Sequence, residues 1–392
     1  MDSPLFEKKP SSEKIIEFVN IIGKHNIAAK LFVELNNGFY LSGGYDNILI
    51  LYDNQFREKM RIKELKDWAF KVIEKKDSRI IDENKTTLFC CLNKYLVSIL
   101  LDTKNLKADI KEYMIEDRTF VNCIEMKENN FISTGFGCSS YYIDIYNKNS
   151  QFAEHIIIDK TYRGAIRLND KNVALTSNSI MPNGENKLIF YNIKSKNISI
   201  IAENYSFTIS NNNMSLISKE KINNSNKILI CACKKYRKGQ KNGILLVNPN
   251  PGDSRRINNE FYDTGNYEVY CFCQIFLVKN NNNNHNSINE KYKRNIEIND
   301  TDYFFVGGFD LDKRIGIIKM FRLIFDEKIS NTKIEFVQDI IIDGEERFED
   351  FDSPISNIYQ SKLSGHIAVT CYNGNIYLFT PPNLNYYLEE HE

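Results

Sequence analysis

The sequence predicts an all-β protein built from repeated hairpins, and three observations support this prediction. First, the stretch Phe39–Asp53, FYLSGGYDNILILYD, has two apolar runs around a Gly-Gly-Tyr-Asp-Asn corner, which is typical of a β-hairpin. Second, the same pattern recurs along the chain at spacings of about 40 residues or somewhat more, the period of a propeller blade. Third, no window shows a sustained helical period with capping residues. Together these observations predict a seven-bladed β-propeller.

Seven hairpins carry the pattern, and the last of them has the strong turn signal Asn373-Gly374. Another apolar run precedes each hairpin, and most hairpins are also followed by one. We therefore expect four antiparallel strands in each blade. The hairpins are Phe39–Asp53, Leu88–Asp102, Phe131–Asn147, Val173–Asn192, Ile228–Asn248, Tyr303–Leu323 and Ile367–Thr380.

Because 392 residues exceed the usual size of a domain with one core, the chain must form either two domains or one repetitive architecture. The repeats favour the second, so the whole chain, 1–392, is predicted to form a single propeller domain. The polar insertion at 280–302, which includes the run Asn280–Asn284, is predicted to be disordered. The predicted blades span approximately 27–62, 66–116, 119–159, 163–204, 213–264, 268–342, and 353–381 plus 13–22.

The two ends of the chain predict how the ring closes. The seventh hairpin lacks a following strand, whereas Lys14–Ile22, KIIEFVNII, precedes the first complete unit. An N-terminal strand in the last blade would leave no open edge between the first and last units. We therefore expect Ile15–Ile22 to pair with Asn375–Phe379. Ser12–Ile22 is also the best helical candidate, but its β-branched residues favour a strand.

Composition excludes several classes of protein. Lys+Arg and Asp+Glu number 51 each, so the formal net charge is zero, which argues against a nucleic-acid binder or a polybasic membrane-surface protein. The apolar runs are too short to cross a bilayer, and the N-terminal residues lack the pattern of a signal peptide. Nine cysteines, most of them inside apolar runs, suit a reducing compartment. The expected location is therefore the cytoplasm.

No motif predicts catalytic, cofactor-binding or metal-ligating residues. None of the five histidines has a partner at helical metal-ligand spacing, and His25 is expected in the connection before the first complete unit. Cys231 with Cys233, and Cys271 with Cys273, are two apart and would face the same side of a strand. We interpret these as core thiols, since free cysteine packs as a small apolar residue.

One basic cluster stands out in the fifth unit, KKYRKGQK at Lys234–Lys241. Its residues Lys234, Lys235, Arg237 and Lys238 are candidates for contact with a partner, a phosphate or a nucleic acid, because basic residues alternate there with an aromatic one. The structural alternative is a solvated hairpin tip, which the zero net charge favours.

The units resemble WD-repeat and WD-like β-propellers. The best match has Ser42-Gly43-Gly44, then Asp46 in the tight turn, and then Tyr52-Asp53 where that family often has Trp-Asp. The sequence lacks the Gly-His pair with which repeats of that family start. Its one Gly-His pair, Gly365-His366, lies beside a different strand from the one that the family pattern requires. The family's Asp–His–Ser/Thr–Trp hydrogen-bond network is therefore not expected. Kelch-like or quinoprotein-like propellers remain open as alternatives.

This resemblance implies a non-catalytic scaffold or recognition module that binds protein partners, as a monomer or within a hetero-complex. Aromatic residues would pack between blades or form binding hot spots on exposed faces, and the sequence does not separate these uses. One alternative is an enzyme at the mouth of the central channel, which three or more converging buried polar groups would favour. The other is a binder of phosphate, nucleic acid or glycan that uses the basic loop of the fifth blade.

Overall fold

The computed structural model of the chain describes most of the sequence, and every regular element in the described residues is a β-strand. Within the described part of the chain, no helix is long and apolar enough to span a membrane. The described residues are 15–75, 84–114, 118–126, 130–137, 140–146, 152–158, 162–177, 186–203, 205–210, 212–218, 227–236, 239–249, 260–280, 296–324, 332–340 and 353–384.

The strands form seven sheets of four antiparallel strands each, and every sheet is one blade. Blade 1 contains β2 (Ala29–Glu34), β3 (Tyr40–Gly44), β4 (Leu49–Tyr52) and β5 (Glu58–Ile62). Blade 2 contains β6 (Ala69–Lys75), β7 (Lys85–Leu92), β8 (Tyr95–Asp102) and β9 (Lys107–Met114). Blade 3 contains β10 (Arg118–Glu125), β11 (Phe131–Gly137), β12 (Tyr141–Tyr146) and β13 (Phe152–Ile158). Blade 4 contains β14 (Tyr162–Arg167), β15 (Asn172–Ser177), β16 (Lys187–Asn192) and β17 (Ile198–Glu203).

The last three blades follow the same order, except that the first strand of the chain joins the last blade. Blade 5 contains β18 (Met214–Ser218), β19 (Lys227–Cys233), β20 (Asn242–Val247) and β21 (Glu260–Gly265). Blade 6 contains β22 (Tyr267–Asn280), β23 (Ile296–Asp310), β24 (Ile315–Ile324) and β25 (Lys333–Ile340). Blade 7 contains β26 (Ile355–Gln360), β27 (Ile367–Cys371), β28 (Asn375–Phe379) and β1 (Phe18–Lys24).

The innermost strands of the seven blades are β2, β6, β10, β14, β18, β22 and β26. Each of them contacts the innermost strand of the next blade, and β26 contacts β2, which closes the ring. The predicted fold class, a seven-bladed β-propeller with four-stranded antiparallel blades, is confirmed. In each blade the turn between the second and third strands lies at the same end as the connection from the preceding blade, because consecutive strands are antiparallel. We call this side of the ring the upper face.

Ring closure by the N-terminal strand is confirmed, with a shift in its bounds. β1 pairs with β28 from Phe18 opposite Phe379 to Lys24 opposite Asn375. The strand therefore begins later and ends later than the predicted Ile15–Ile22. Ile15 and Ile16 lie outside the strand and pack into the core between blades 6 and 7. The helical alternative for the described part of this segment is wrong, because its backbone bonds go to β28.

The core is divided among the seven interfaces between neighbouring blades, each filled by one apolar cluster. The interpretation of the paired cysteines as core thiols is confirmed, because Cys231 and Cys233 are buried between blades 4 and 5. Cys271 is buried between blades 6 and 7, and Cys273 packs against the same cluster. All eight cysteines in the described residues are free thiols.

The predicted disordered insertion at 280–302 needs correction at both ends. Asn280 is the last residue of β22 and pairs with Ile296, and the pairing continues through Val278 with Ile298 to Phe276 with Asp300. The two inner strands of blade 6 are therefore longer than those of the other blades. Residues 281–295 lie outside the described part of the chain.

Candidate functional site

A β-bulge recurs in the innermost strands near the upper face, and in three blades it places a side chain at the channel mouth. In six of the seven blades, one residue early in the innermost strand has no partner in the register with the second strand. A bulge redirects a side chain that regular alternation would place elsewhere. The bulged residues are Lys30, Phe70, Val121, Arg163, Tyr270 and Ser356.

The turns between the second and third strands bring further side chains to the same place. The first residue of this turn donates its backbone N–H to a carbonyl of the connection that enters the blade, as in Tyr45 to Ala28 at 3.0 Å and Tyr372 to Pro354 at 3.0 Å. Lys234 repeats this bond with Ser206 at 2.7 Å. These bonds fix the backbone at the start of each turn. The turns of blades 1, 5 and 7 therefore place their side chains at the same site.

We call this site the upper mouth. It consists of charged and aromatic side chains from the bulges, the turns and the connections of the upper face, all of them half-buried except Glu268, which is buried. Its residues are Lys30, Tyr45, Trp68, Arg163, Lys234, Tyr236, Glu268, Tyr270 and Tyr372.

Lys30 lies between two tyrosine rings. Its Nζ is 3.5 Å from the centroid of the Tyr372 ring and 5.0 Å from that of Tyr45. Among the described residues no carboxylate is hydrogen-bonded to this amine. Burial lowers the pKa of Lys30 to about 7, because the charged form loses water without gaining an ionic partner. The faces of the two tyrosine rings attract the Lys30 ammonium through cation–π interactions.

Lys234, in contrast, is paired. Its Nζ donates to Glu268 Oε2 at 2.7 Å and to the hydroxyl oxygen of Tyr270 at 3.1 Å. The Tyr270 hydroxyl donates to the same Glu268 oxygen at 2.7 Å. Burial raises the pKa of Tyr270, and the bond to Glu268 adds to this effect, so the hydroxyl stays protonated. The charge of Lys234 is thus largely offset within the site.

Residues from blades that are not neighbours meet at the upper mouth. Arg163 in blade 4 is close enough to Tyr45 in blade 1 for its charge to oppose the rise that burial causes in the pKa of Tyr45. Tyr236 in blade 5 is close enough to Tyr372 in blade 7 to add to the rise that burial causes in the pKa of Tyr372. Side chains from such distant blades approach only across the central opening of the ring. The site therefore faces the channel.

Ring-to-ring contacts extend this aromatic lining along the upper face. The ring centroids of Tyr45 and Trp68 are 4.5 Å apart in an edge-to-face arrangement. Those of Tyr270 and Tyr372 are 5.9 Å apart in a similar arrangement. Edge-to-face pairs hold their rings in place, so the lining is preorganised.

The residues predicted from the basic cluster have separate positions. Lys234 belongs to the upper mouth and binds Glu268. Lys235 is exposed, and its backbone N–H donates to Asn242 Oδ1 at 2.8 Å. Arg237 and Lys238 lie outside the described residues. Sequence reasoning missed Lys30 and Arg163, which interrupt apolar runs by a single position and carry no motif.

Blade 1 contains a hydrogen-bonded set around a buried histidine that was not expected from the sequence. His25 is completely buried, and its Nδ1 is 2.8 Å from Asp46 Oδ1 while its Nε2 is 2.9 Å from Ser42 Oγ. The Tyr52 hydroxyl is 3.1 Å from the same Ser42 oxygen. The search for a Gly-His pair missed this histidine because Lys24 precedes it.

A second histidine–carboxylate pair lies in blade 3. His155 Nδ1 is 2.7 Å from Asp144 Oδ1, between two strands of blade 3 that are away from the upper mouth. In the part of the chain that the structure describes, no group of three or more His, Cys, Asp or Glu residues is arranged to hold a metal ion.

Comparison with known proteins identifies the fold and no narrower class. No family model matches the sequence, and no curated protein matches it. Among solved structures 855 chains match. One of them, described as "Structure of Dos1 propeller", has a TM-score of 0.50 and 11% sequence identity over 90% of this chain and 78% of the other. Because the identity is so low, this similarity shows only that the chain has a β-propeller fold.

Proposed function

We propose that this protein is a non-catalytic recognition propeller that binds a protein partner at the upper mouth. The observation that carries the proposal is the set of half-buried aromatic side chains from several blades that surround the opening, with Tyr45, Trp68 and Tyr236 among them. Half-buried tyrosine and tryptophan supply large contact areas at a small loss of side-chain entropy, which is why they dominate binding hot spots. The rigid ring holds them in place before the partner arrives.

We also propose that the chain is a divergent propeller of the WD-repeat type. Support comes from blade 1, where His25, Ser42 and Asp46 form the hydrogen-bond network that such repeats use, with Tyr52 in the place of tryptophan. A cytoplasmic location is part of the same proposal. The free cysteines support it, because unpaired thiols persist in a reducing compartment.

Affinity purification of the full chain from its native cell tests the proposal. We expect a reproducible stoichiometric partner, and we expect the double substitution Trp68→Ala and Tyr236→Ala to lower its recovery by about tenfold or more, the effect of losing one hot spot. Phe336→Ala is the matched control, because Phe336 is 42% exposed on an outer strand of blade 6. Absence of any reproducible partner, or equal recovery with all three proteins, would count against the proposal.

An enzyme with a site at the channel mouth is the second candidate. Lys30, Glu268 and Tyr270 lie at one end of the channel, although only Glu268 among them is fully buried. An amine with a pKa of about 7 can act as a nucleophile or a base. We place it second because Glu268 and Tyr270 bond to Lys234. No carboxylate or histidine in the described residues is bonded to Lys30, so a group to relay its proton is missing there.

Binding of phosphate, nucleic acid or glycan through the basic loop of blade 5 is the third candidate. Glu268 offsets the charge of Lys234, which lowers the positive potential that such a ligand requires.

A further inference from the structure

We propose that the partner inserts a carboxylate into the upper mouth, where Lys30 and Arg163 bind it, so the partner segment is acidic. This inference rests on the proposed function, because it names the chemistry of the partner that binds at the same site.

The charges of the upper mouth do not balance. Among its four charged side chains, Lys234 and Glu268 form an ion pair at 2.7 Å. No ion pair or hydrogen bond joins the Lys30 ammonium or the Arg163 guanidinium to another described residue, so two cations remain without an anion. This local excess contrasts with the whole chain, whose formal net charge is zero. A positive mouth on a neutral protein attracts an anionic group.

The surroundings of Lys30 make an anionic ligand favourable. A half-buried ammonium without a carboxylate has lost part of its hydration free energy. Its attraction to the rings of Tyr45 and Tyr372 offsets only part of this loss. A carboxylate from the partner would supply the missing ionic hydrogen bond. Since the aromatic walls exclude water, this bond would be stronger than one formed on an exposed surface.

Arg163 adds a second donor from the opposite side of the ring. Its position at the bulge of β14 is fixed by the backbone, because its carbonyl accepts a hydrogen bond from Asn122 Nδ2 at 2.6 Å. A guanidinium matches the two oxygens of a carboxylate with two parallel donors. Tyr45, which lies near Arg163, and Trp68, whose ring contacts that of Tyr45, can contact the residues that flank the acidic one. A short peptide segment therefore fits this lining better than a small free anion.

The carboxylate has two possible sources, an internal Asp or Glu side chain and a free C-terminus. Panning of a random peptide library against the immobilised full chain distinguishes them when peptides are displayed with either a free or a blocked C-terminus. We expect the selected peptides to be enriched in Asp and Glu, or to depend on the free C-terminus. The best peptide is then synthesised and measured by fluorescence anisotropy.

The variants Lys30→Met and Arg163→Gln are expected to weaken binding of that peptide about tenfold or more each, as for a lost charge-assisted hydrogen bond. Lys94→Met is the matched control, because Lys94 is exposed on the turn of blade 2 on the same face, and it should leave binding unchanged. Thermal unfolding of each variant verifies that the ring is intact.

Two failures have different meanings. If no peptide is selected, the proposed function itself loses support. If peptides are selected but lack any carboxylate requirement, or bind Lys30→Met and Arg163→Gln as tightly as the natural protein, the inference is wrong while the proposed function stands.

Discussion

His25 is completely buried, and its hydrogen bonds explain how the fold tolerates it. His25 Nδ1–H donates to the Asp46 carboxylate. Burial lowers the pKa of His25, which the nearby Asp46 only partly opposes, so the imidazole is neutral. Nε2 of the neutral ring accepts from the Ser42 hydroxyl, which leaves Ser42 to accept from the Tyr52 hydroxyl. Gly23 completes the arrangement, because a Cβ there would lie 2.1 Å from the Tyr52 hydroxyl oxygen.

At the residue scale the sequence predicted neither this network nor, apart from Lys234, the residues of the upper mouth. Ser42, Asp46 and Tyr52 lie in one hairpin and were noted there only for their resemblance to a repeat. His25 was missed because its role depends on burial beneath a turn, and burial is set by the packing of blade 1 on blade 7. Lys30 and Arg163 were missed for a similar reason. A bulge changes the direction of a side chain, and the amino-acid pattern of a strand does not show where a bulge lies.

The first prediction concerns the stability of Lys30→Met. In the folded chain the pKa of Lys30 is about 7, lowered by burial from its ordinary value of 10.5. Below pH 7 both folded and unfolded chains bind the proton, and the buried charge destabilises the fold in full. Between the two pKa values only the unfolded chain binds it, so the free energy of unfolding rises with pH. Methionine should therefore stabilise the protein by roughly 2–4 kcal/mol near pH 6, and this gain should shrink toward pH 9.

Urea unfolding at several pH values measures this difference. The groups that face the amine are Tyr45, Tyr372 and Cys271, and burial raises the pKa of each, so none of them introduces a competing titration near pH 7. Lys94→Met should show no such pH dependence, because its side chain is exposed. A Lys30→Met protein that is less stable than the natural one at pH 6 would contradict the burial argument.

At the scale of the element, the innermost strands hold neighbouring blades together through one repeated position. In three blades, the side chain of the residue four positions after the bulge forms a hydrogen bond with the preceding blade. Glu74 Oε2 accepts from the backbone N–H of Asn36 at 2.7 Å, and Glu34 Oε2 accepts from the Ser361 hydroxyl at 2.7 Å. Gln360 exchanges two hydrogen bonds with the backbone of Phe276, at 3.0 and 2.9 Å. Each of these bonds links two neighbouring blades.

The second prediction follows from this position. Glu74→Ala removes the acceptor of the Asn36 N–H and of the Thr86 hydroxyl, which lies 2.6 Å from Oε1. We expect a loss of about 1–3 kcal/mol in the free energy of unfolding, since hydrogen bonds to charged groups are stronger than neutral ones. Glu125→Ala is the matched control, because Glu125 holds the same position in blade 3 and is exposed. Equal losses in the two variants by chemical unfolding would show that the inter-blade bond is not the cause.

The pattern of continuous apolar runs predicted the strands well, because the central strands of a blade bury both faces against neighbouring blades. It predicted the extent of strands less well, as in β22 and β23, which continue into a stretch rich in asparagine. There the backbone pairing between the two strands outweighs the low strand propensity of the residues. The repeated inter-blade position was not predicted, since Glu74 and Glu125 are identical in type and differ only in what lies opposite them.

At the scale of the whole molecule, the ring explains why the upper mouth exists. Arg163 and Tyr45 are far apart in sequence and belong to blades that share no interface. Only closure of seven blades into a circle brings them to one opening. The sequence predicted the number of blades from repeats, but the relation between opposite blades has no counterpart in any local pattern. Any loss of closure should therefore disturb the site as well as the stability of the protein.

The third prediction tests closure directly. Deletion of residues 1–24 removes β1, which leaves the backbone groups of β28 unpaired and uncovers the apolar cluster that Ile22 completes between blades 7 and 1. An unpaired edge of this kind both destabilises a sheet and promotes aggregation. We expect the truncated chain to unfold at a lower temperature and to aggregate. A synthetic peptide of residues 15–24, added in excess, should restore the unfolding temperature in a concentration-dependent way, because it can add to β28 as a strand.

The matched control is the same peptide with Ile22→Asp, which keeps the backbone donors and acceptors of the strand but places a charge at a position that is 9% exposed. Burial of that carboxylate without a partner opposes docking, so this peptide should not restore stability. If the truncated chain were as stable as the full chain, pairing of β1 with β28 would contribute nothing to closure. If both peptides rescued equally, backbone pairing alone would close the ring, and the packing of Ile22 would be incidental. The expected difference between the peptides thus separates the two contributions to closure, backbone pairing and apolar burial.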